Sequence, residues 1–439
     1  MKGGISGGRR LVLANATVPA SVAGEAASGA LQRVDISISG GVIEAVAPAS
    51  AGEPAAAQRH DMDGGLVLPA FVDMHTHLDK GHIWPRKPNP DGTWMGALTA
   101  VIDDRAVNWS AADVARRMDF SLRTAFAHGT AAIRTHLDSG PPHGDVTWEV
   151  FEKVRAEWAG RIELQAVALI GPDYLLDPGT VRHVAKRTQA AGGILGGSVA
   201  DHPQARQAIF AAVNAAGEHG LDLDLHCDET AEPAAEALRH LADAVLETGF
   251  EGRVAAGHCC SLANQDEATA RATIEKVAKA GIAVISLPMC NMYLQDRHNG
   301  HGVRTPRWRG VTPLTELRAA GVPVAIASDN TRDPFYAYGD LDMLEVLREG
   351  ARILHFDHPA DDAWSWARAT GADPAALGGF THQALVAPGE PADLVLFGAR
   401  DWTELMARPQ ADRTVLRAGT KIDRTLPDYR ELDDLMGAA

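Results

Sequence analysis

The chain has little cysteine, few aromatic residues and no excess of positive charge. Its 439 residues include four cysteines, Cys227, Cys259, Cys260 and Cys290. Their spacing fits neither a disulfide framework nor a zinc knuckle, so reduced thiols in a cytoplasmic protein are expected. Acidic side chains outnumber basic ones, 57 to 41, for a net charge of −16. That balance argues against nucleic-acid binding and favours solubility. No apolar run reaches ~18 residues, so no membrane span is expected. The N-terminus, Met1-Lys-Gly-Gly, lacks the apolar core of a signal peptide. The remainder is ordinary for a globular chain, with 46% hydrophobic and 22% charged residues. A small-molecule partner is expected, and a homo-oligomer is open. The length suits one large α/β domain plus a smaller one.

Both ends of the chain read as β-structure. Short strands are expected at 11–14, 34–38 and 42–46, the last two forming a hairpin across Gly40-Gly41. Further strands are expected within 387–397 and at 415–421. The middle alternates. Apolar strand-like runs fall at 71–74, 131–137, 164–170, 194–199, 221–226, 254–258, 282–287 and 322–327. Helical patterns lie between them at 111–128, 204–219, 233–248 and 266–280. Ser110 and Asp201 resemble caps, and Pro233 suits a first helical position. Eight βα units predict a (β/α)8 barrel over 67–384, with a small β-sandwich from 1–66 and 385–439. A doubly wound sheet is the structural alternative.

The chemistry centres on Phe71-Val-Asp-Met-His-Thr-His-Leu-Asp-Lys80. On a strand, residues two apart share a face, so His75 and His77 project together. Barrel active sites sit at the C-terminal ends of the strands. There the second run ends in Arg134-Thr-His-Leu-Asp138, the fifth in His226-Cys-Asp-Glu229, the sixth in His258 and the eighth in Ser328-Asp-Asn330. His75, His77, His226, His258 and Asp329 around one mouth make a five-ligand metal site. His136 reads as lying behind the ligands or as purely structural. No Lys ends the third or fourth strand to bridge two ions, so one metal ion is expected.

These residues resemble the amidohydrolase superfamily, and within it the bacterial cytosine deaminase group. The likeness runs along most of the chain. It rests on Pro69-Ala-Phe-Val-Asp-Met-His-Thr-His77, Arg134-Thr-His136, His226-Cys-Asp-Glu229, Gly257-His258, Asn291-Met-Tyr-Leu-Gln-Asp-Arg297, Ser328-Asp-Asn-Thr-Arg-Asp-Pro-Phe335 and Gly389-Glu-Pro-Ala-Asp-Leu-Val395. The resemblance implies one Zn²⁺ or Fe²⁺, between which His and Asp do not decide, with His75, His77, His226 and Asp329 as metal ligands and His258 in or just outside that shell. Glu229, His258 and Asp329 would be catalytic. Asp329 would take a proton from water, Glu229 would protonate a ring nitrogen, and His258 would steady the attacking oxygen.

The chain also departs from that group. Cytosine deaminases carry a Gln after the third strand that pairs with the pyrimidine amide edge; Gly171 stands there. The second Asp of their Asp-Asp pair is Asn330, and their following Trp is Phe335. Asn330-Thr-Arg-Asp333 instead resembles the enzyme that removes isopropylamine from N-isopropylammelide. Trp94, Gly171, Asn330 and Phe335 are the expected substrate contacts. Two loops, 80–94 and 297–309, are expected over the site. The function expected is hydrolytic deamination of an amino-substituted nitrogen heterocycle, cytosine or a close analogue first. Amino-triazines, pterins, isocytosine and creatinine are the alternatives, with a non-catalytic barrel behind them.

Overall fold

The computed structural model describes residues 10–24, 30–49, 58–199, 202–297, 304–360 and 362–437. Asp201, expected as a cap, lies outside them. In chain order the strands are β1 (Leu11–Pro19), β2 (Leu31–Ser39), β3 (Val42–Pro48), β4 (Gln58–Asp61), β5 (Val67–Pro69) and β6 (Phe71–Thr76). Next come β7 (Thr130–Asp138), β8 (Glu163–Leu169), β9 (Ile194–Val199), β10 (Leu223–Cys227), β11 (Val254–His258), β12 (Ala283–Ser286) and β13 (Val324–Ile326). The last three are β14 (Leu394–Leu396), β15 (Thr414–Arg417) and β16 (Thr420–Lys421).

Two small sheets use both ends of the chain. One has the order β3-β2-β1-β4, the other β16-β15-β14-β5. The β2–β3 hairpin turns on Gly40 and Gly41, with φ of 59° and 85°. A two-residue hairpin turn needs positive φ at both centres, which only glycine adopts without strain. On β2, Val34, Ile36 and Ile38 are buried while their neighbours are partly exposed. That alternation fixes which face packs inward.

The third sheet has eight strands in the order β13 to β6, parallel wherever its register is defined. Asp329 N donates to His75 O at 2.9 Å, and Thr76 bridges Asp329 in parallel. These contacts bring the first and last strands together, so the sheet is a nearly closed (β/α)8 barrel. The eight expected runs match the eight strands, with ends shifted by up to two residues. Helices at Ala111–His128, Ala205–His219 and Glu267–Ala280 follow the sequence pattern. Ser110 Oγ accepts from Asp113 N at 3.2 Å, as a cap should. Pro233 is a correction: the helix there starts at Ala237. The Asp228 carboxylate accepts from the Ala237 and Leu238 amides at 2.8 and 2.9 Å, so the cap comes from the strand end rather than from the preceding residue.

The chain forms two compact units. One comprises Met1–Asp73, Arg123–Ala132 and Asp342–Leu426; the other comprises Met74–Leu122, Ile133–Leu341 and Pro427–Ala439. In the first unit Val72, Ala132, Ala375, Phe380 and Ala384 make a buried apolar cluster. Its buried charge is handled by Arg413, whose Nη2 lies 2.6 Å from Asp342 Oδ2 and 2.8 Å from His128 Nδ1. Burial opposes the Asp342 charge, but Arg413 and His128 outweigh it and hold its pKa below the usual carboxylate value. A depressed folded-state pKa adds stability above the unfolded value, lost as pH falls through the folded one. Asp342→Asn keeps the side-chain cap on Leu344 N but leaves Arg413 unpaired. It should cost about 3–5 kcal/mol at pH 7, read by urea unfolding. The gap from wild type should narrow below about pH 4.

Candidate active site

The barrel delivers its chemistry at the strand ends. β6 is buried throughout, and on it His75 Nε2 lies 3.7 Å from Asp329 Oδ1. His77, just past the strand, brings Nε2 to 3.2 Å from the same oxygen. His226 on β10 places Nε2 3.1 Å from His75 Nε2 and 3.3 Å from His77 Nε2. Donors about 2.0–2.1 Å from one ion lie about 3.3–3.4 Å apart when tetrahedral and about 2.8–3.0 Å apart across a right angle. The separations of 3.1, 3.2 and 3.3 Å fall between those values, and the 3.7 Å between His75 and Asp329 corresponds to a wider angle. Neutral imidazoles cannot satisfy one another at every such contact, since each carries one ring proton. Both Asp329 oxygens and His258 Nε2 are buried without a hydrogen-bond partner. Convergent acceptors lacking donors are the arrangement a divalent cation satisfies, so the donor set fits one.

Protonation agrees. Burial first, then neighbouring histidines and cations, push His75, His77 and His226 well below the ordinary histidine value. They are therefore neutral, as metal ligands must be. Burial, with Glu229 and Asp333 adding and His258 opposing, pushes Asp329 up to about 7. A bound cation would reverse that shift. His258 ends β11 and its Nδ1 is 2.8 Å from Asn291 Oδ1. Asn291 Oδ1 can only accept, so Nδ1 carries the proton and Nε2 faces the cluster with a free lone pair. Burial opposes charge on His258, but Glu229, Asp329 and Asn291 prevail and raise its pKa, which favours a proton on Nε2; a bound cation would reverse that shift as well and free the lone pair.

Beside the cluster stands Glu229, in the loop after β10. Trp94 Nε1 donates to Glu229 Oε2 at 2.8 Å, and Gln295 Nε2 to the Glu229 carbonyl at 3.3 Å. Glu229 Oε1 is 3.7 Å from His258 Nδ1. All of this opens into a cavity of about 660 Å³. His77, His226, His258, Asp329 and Glu229 line it, together with Trp94, Gly171, Asn330 and Phe335.

The structure thus gathers every site residue expected from sequence around one cavity or the donor cluster beneath it. Some arrive in unexpected company. Trp94 opens the helix Trp94–Asn108 and spends its single donor on Glu229. Asn330 Nδ2 donates to Asp333 Oδ2 at 2.7 Å, which engages its amide. Phe335 meets Trp94 edge to face at 5.9 Å. A Cβ built on Gly171 meets nothing within 4 Å, so the space there is open. The His136 ring lies tilted against that of His75, with centroids 4.0 Å apart, and its Nε2 is 3.9 Å from Asp224 Oδ1. The loop at 297–309 is described only in part. Arg297 lies over Tyr293 at 3.8 Å, and Arg304, with the amides of Arg307 and Trp308, binds Asp296. Among the described residues none of this loop lines the cavity.

Sequence reasoning assigned no role to Lys80, Arg105, Asp138 or Asn291. Lys80 and Asp138 were visible at the ends of the first two strands, but nothing in the sequence pairs residues on separate strands. Asn291 opens a motif that pointed only to family.

The model of the "Amidohydrolase family" matches residues 143–422. A pterin deaminase of Rhizobium rhizogenes is 56% identical over 433 residues, 98% of this chain and 97% of its own. Among solved structures, N-isopropylammelide isopropylaminohydrolase of Burkholderia multivorans superposes with a TM-score of 0.74 at 26% identity, over 96% of this chain and 100% of its own. The 5-methylcytosine deaminase of Klebsiella pneumoniae superposes with a TM-score of 0.79 at 24% identity, over 95% and 98%, and shares the fold. The matched region carries β8 to β13, and with them His226, Glu229, His258 and Asp329, so the chain belongs to the amidohydrolase family and hydrolyses carbon–nitrogen bonds.

Proposed function

We propose that the chain deaminates a pterin, the bicyclic 2-amino-4-oxopteridine ring, by hydrolysis. The carrying observation is the whole-length relationship to a pterin deaminase at 56% identity. The open space at Gly171 supports it. Cytosine, named first from the sequence motifs, has one ring and leaves that space empty; a fused second ring uses it.

His75, His77, His226 and Asp329 would hold one divalent cation, which when bound polarises a water and lowers its pKa from ~16 to about 7. The chain's own groups do the rest. Asp329 accepts the proton of the attacking water. Glu229 donates to N1, the ring nitrogen beside C2 that bears no hydrogen, and so makes C2 electrophilic. Trp94 holds Glu229 Oε2, and Oε1 lies 3.7 Å from His258 Nδ1. His258, fixed by Asn291, presents Nε2 to the oxygen that adds to C2. A second proton passes to the exocyclic amine, which leaves as ammonia. One water is consumed and a 2,4-dioxopteridine remains.

Four outcomes test this reading. Metal-replete protein should release ammonia from pterin faster than from cytosine, isocytosine, creatinine or N-isopropylammelide; no turnover of pterin sinks it. Elemental analysis should give about one Zn²⁺ or Fe²⁺ per chain, lost in His75→Ala and Asp329→Ala. Glu229→Gln should keep the ion and lose at least about a hundredfold in kcat, because only a titratable proton is removed. Gly171→Gln should fill the open space, cutting pterin turnover at least about tenfold while leaving that of cytosine unchanged or higher.

A further inference from the structure

The deamination reading leaves one edge of the ring without a partner. Glu229 serves N1 on one flank of C2. On the other flank the pterin lactam shows an N3–H donor beside a C4 carbonyl acceptor. A buried amide edge needs an acceptor and a donor of its own, or binding suffers. Two of the expected substrate contacts are engaged elsewhere: Trp94 Nε1 on Glu229, and Asn330 Nδ2 on Asp333.

Lys80 and Asp138 are differently placed. Lys80 follows β6 and Asp138 ends β7, the two strands that precede the one leading to Gly171. Both line the cavity, and both are buried, with 4% and 8% exposure. Lys80 Nζ donates to Asp138 Oδ1 at 3.0 Å, and Arg105 Nη1 donates to Asp138 Oδ2 at 2.8 Å. The Asp138 amide is pinned by Asp79 Oδ2 at 2.7 Å. Lys80 Nζ also lies 5.6 Å from the Phe335 ring, which lines the same cavity. An ammonium carries three donors, and each carboxylate oxygen accepts more than one hydrogen bond. The pair therefore offers a donor and an acceptor side by side with capacity to spare. A brace between strands would not need to face the cavity.

We propose that the Lys80–Asp138 pair reads the lactam edge of the substrate, Lys80 donating to the C4 carbonyl and Asp138 accepting from N3–H. This rests on the deamination reading above. Arg105 is then a positioning residue that holds the Asp138 carboxylate. The prediction is selectivity for a ring with an oxo group at C4. In 2,4-diaminopteridine the edge is inverted: an amine donor faces Lys80 and a bare N3 faces Asp138.

The test uses pterin and 2,4-diaminopteridine with metal-loaded wild type, Lys80→Met and the near-isosteric Asp138→Asn. Turnover at C2 is followed by chromatography, and dissociation constants are read from quenching of tryptophan fluorescence. Wild type should prefer pterin. Each variant should keep its metal and lose about ten- to hundredfold in kcat/KM for pterin, mainly through KM. The preference over the diamino ring should collapse toward unity. Equal losses on both rings with the preference intact would reduce the pair to a brace and overturn the proposal. Should Lys80→Met fail to fold, Asp138→Asn decides alone. Wild type that turns over no pterin would defeat the deamination reading instead. In that case binding still decides: selectivity for the oxo ring that Asp138→Asn abolishes upholds the pair, and equal binding of the two rings removes it.

Discussion

The junction between the first and last barrel strands also carries part of the donor cluster. Asp329 N donates to His75 O, joining the eighth strand end to the first. The residues that make it contribute side chains to the same cluster, His75 Nε2 and Asp329 Oδ1, 3.7 Å apart. A sheet that failed to close would separate a histidine from its carboxylate partner as well as losing a ladder bond. Fold and donor geometry are therefore one constraint. His226 and His258 reach the same point from neighbouring parallel strands, with Cys227 opposite His258 in register.

That constraint is costly for the polypeptide alone. Asp228, His258, Cys259 and Asp329 all have positive φ, at 52°, 68°, 49° and 65°. Each such residue costs of order 1–3 kcal/mol. All four lie on the turns that leave β10, β11 and β13, where side chains must swing inward. Burial also leaves Asp329 pushed up to about 7 and three histidines neutral and crowded. A bound cation would offset this strain, because it would turn mutually repelling lone pairs into ligands. The rest of the fold supplies the stability that tolerates it, from an apolar barrel interior to the Arg413–Asp342–His128 contact.

Much of this was legible in the sequence, for a physical reason. Barrel strands buried on both faces read as continuous apolar runs, and the functional residue follows each run directly. His75, His77, His226, His258 and Asp329 could be found without knowing any distance. Other features were not local. Asp138 and Lys80 lie 58 residues apart, and Arg413 and His128 lie 285 apart. The helix Trp94–Asn108 was missed because apolar residues occur on both its faces. Ala97, Ala100 and Val101 are buried, while Met95 and Ile102 are exposed, so no polar stripe marks it. Pro233 misled because a carboxylate nine residues upstream of Ala237 caps that helix.

The missed helix shows why chemistry is easier to read than specificity. Trp94 is its first residue, capped by Thr93, whose Oγ1 accepts from Gly96 N at 2.9 Å. The indole then fixes the Glu229 carboxylate and packs against Phe335. Met95, Leu98, Ile102 and Arg105 of the same helix line the cavity, and Arg105 reaches Asp138. One connecting segment after the first strand thus orients the proposed proton carrier and shapes much of the wall that meets the ring. The donor cluster rests on the barrel strands, which hydrogen bonding holds in register. The wall rests on a connection that can change in length and composition without disturbing them. A family can therefore keep its metal centre and exchange its substrate, and the identity of that substrate has to be sought in the wall.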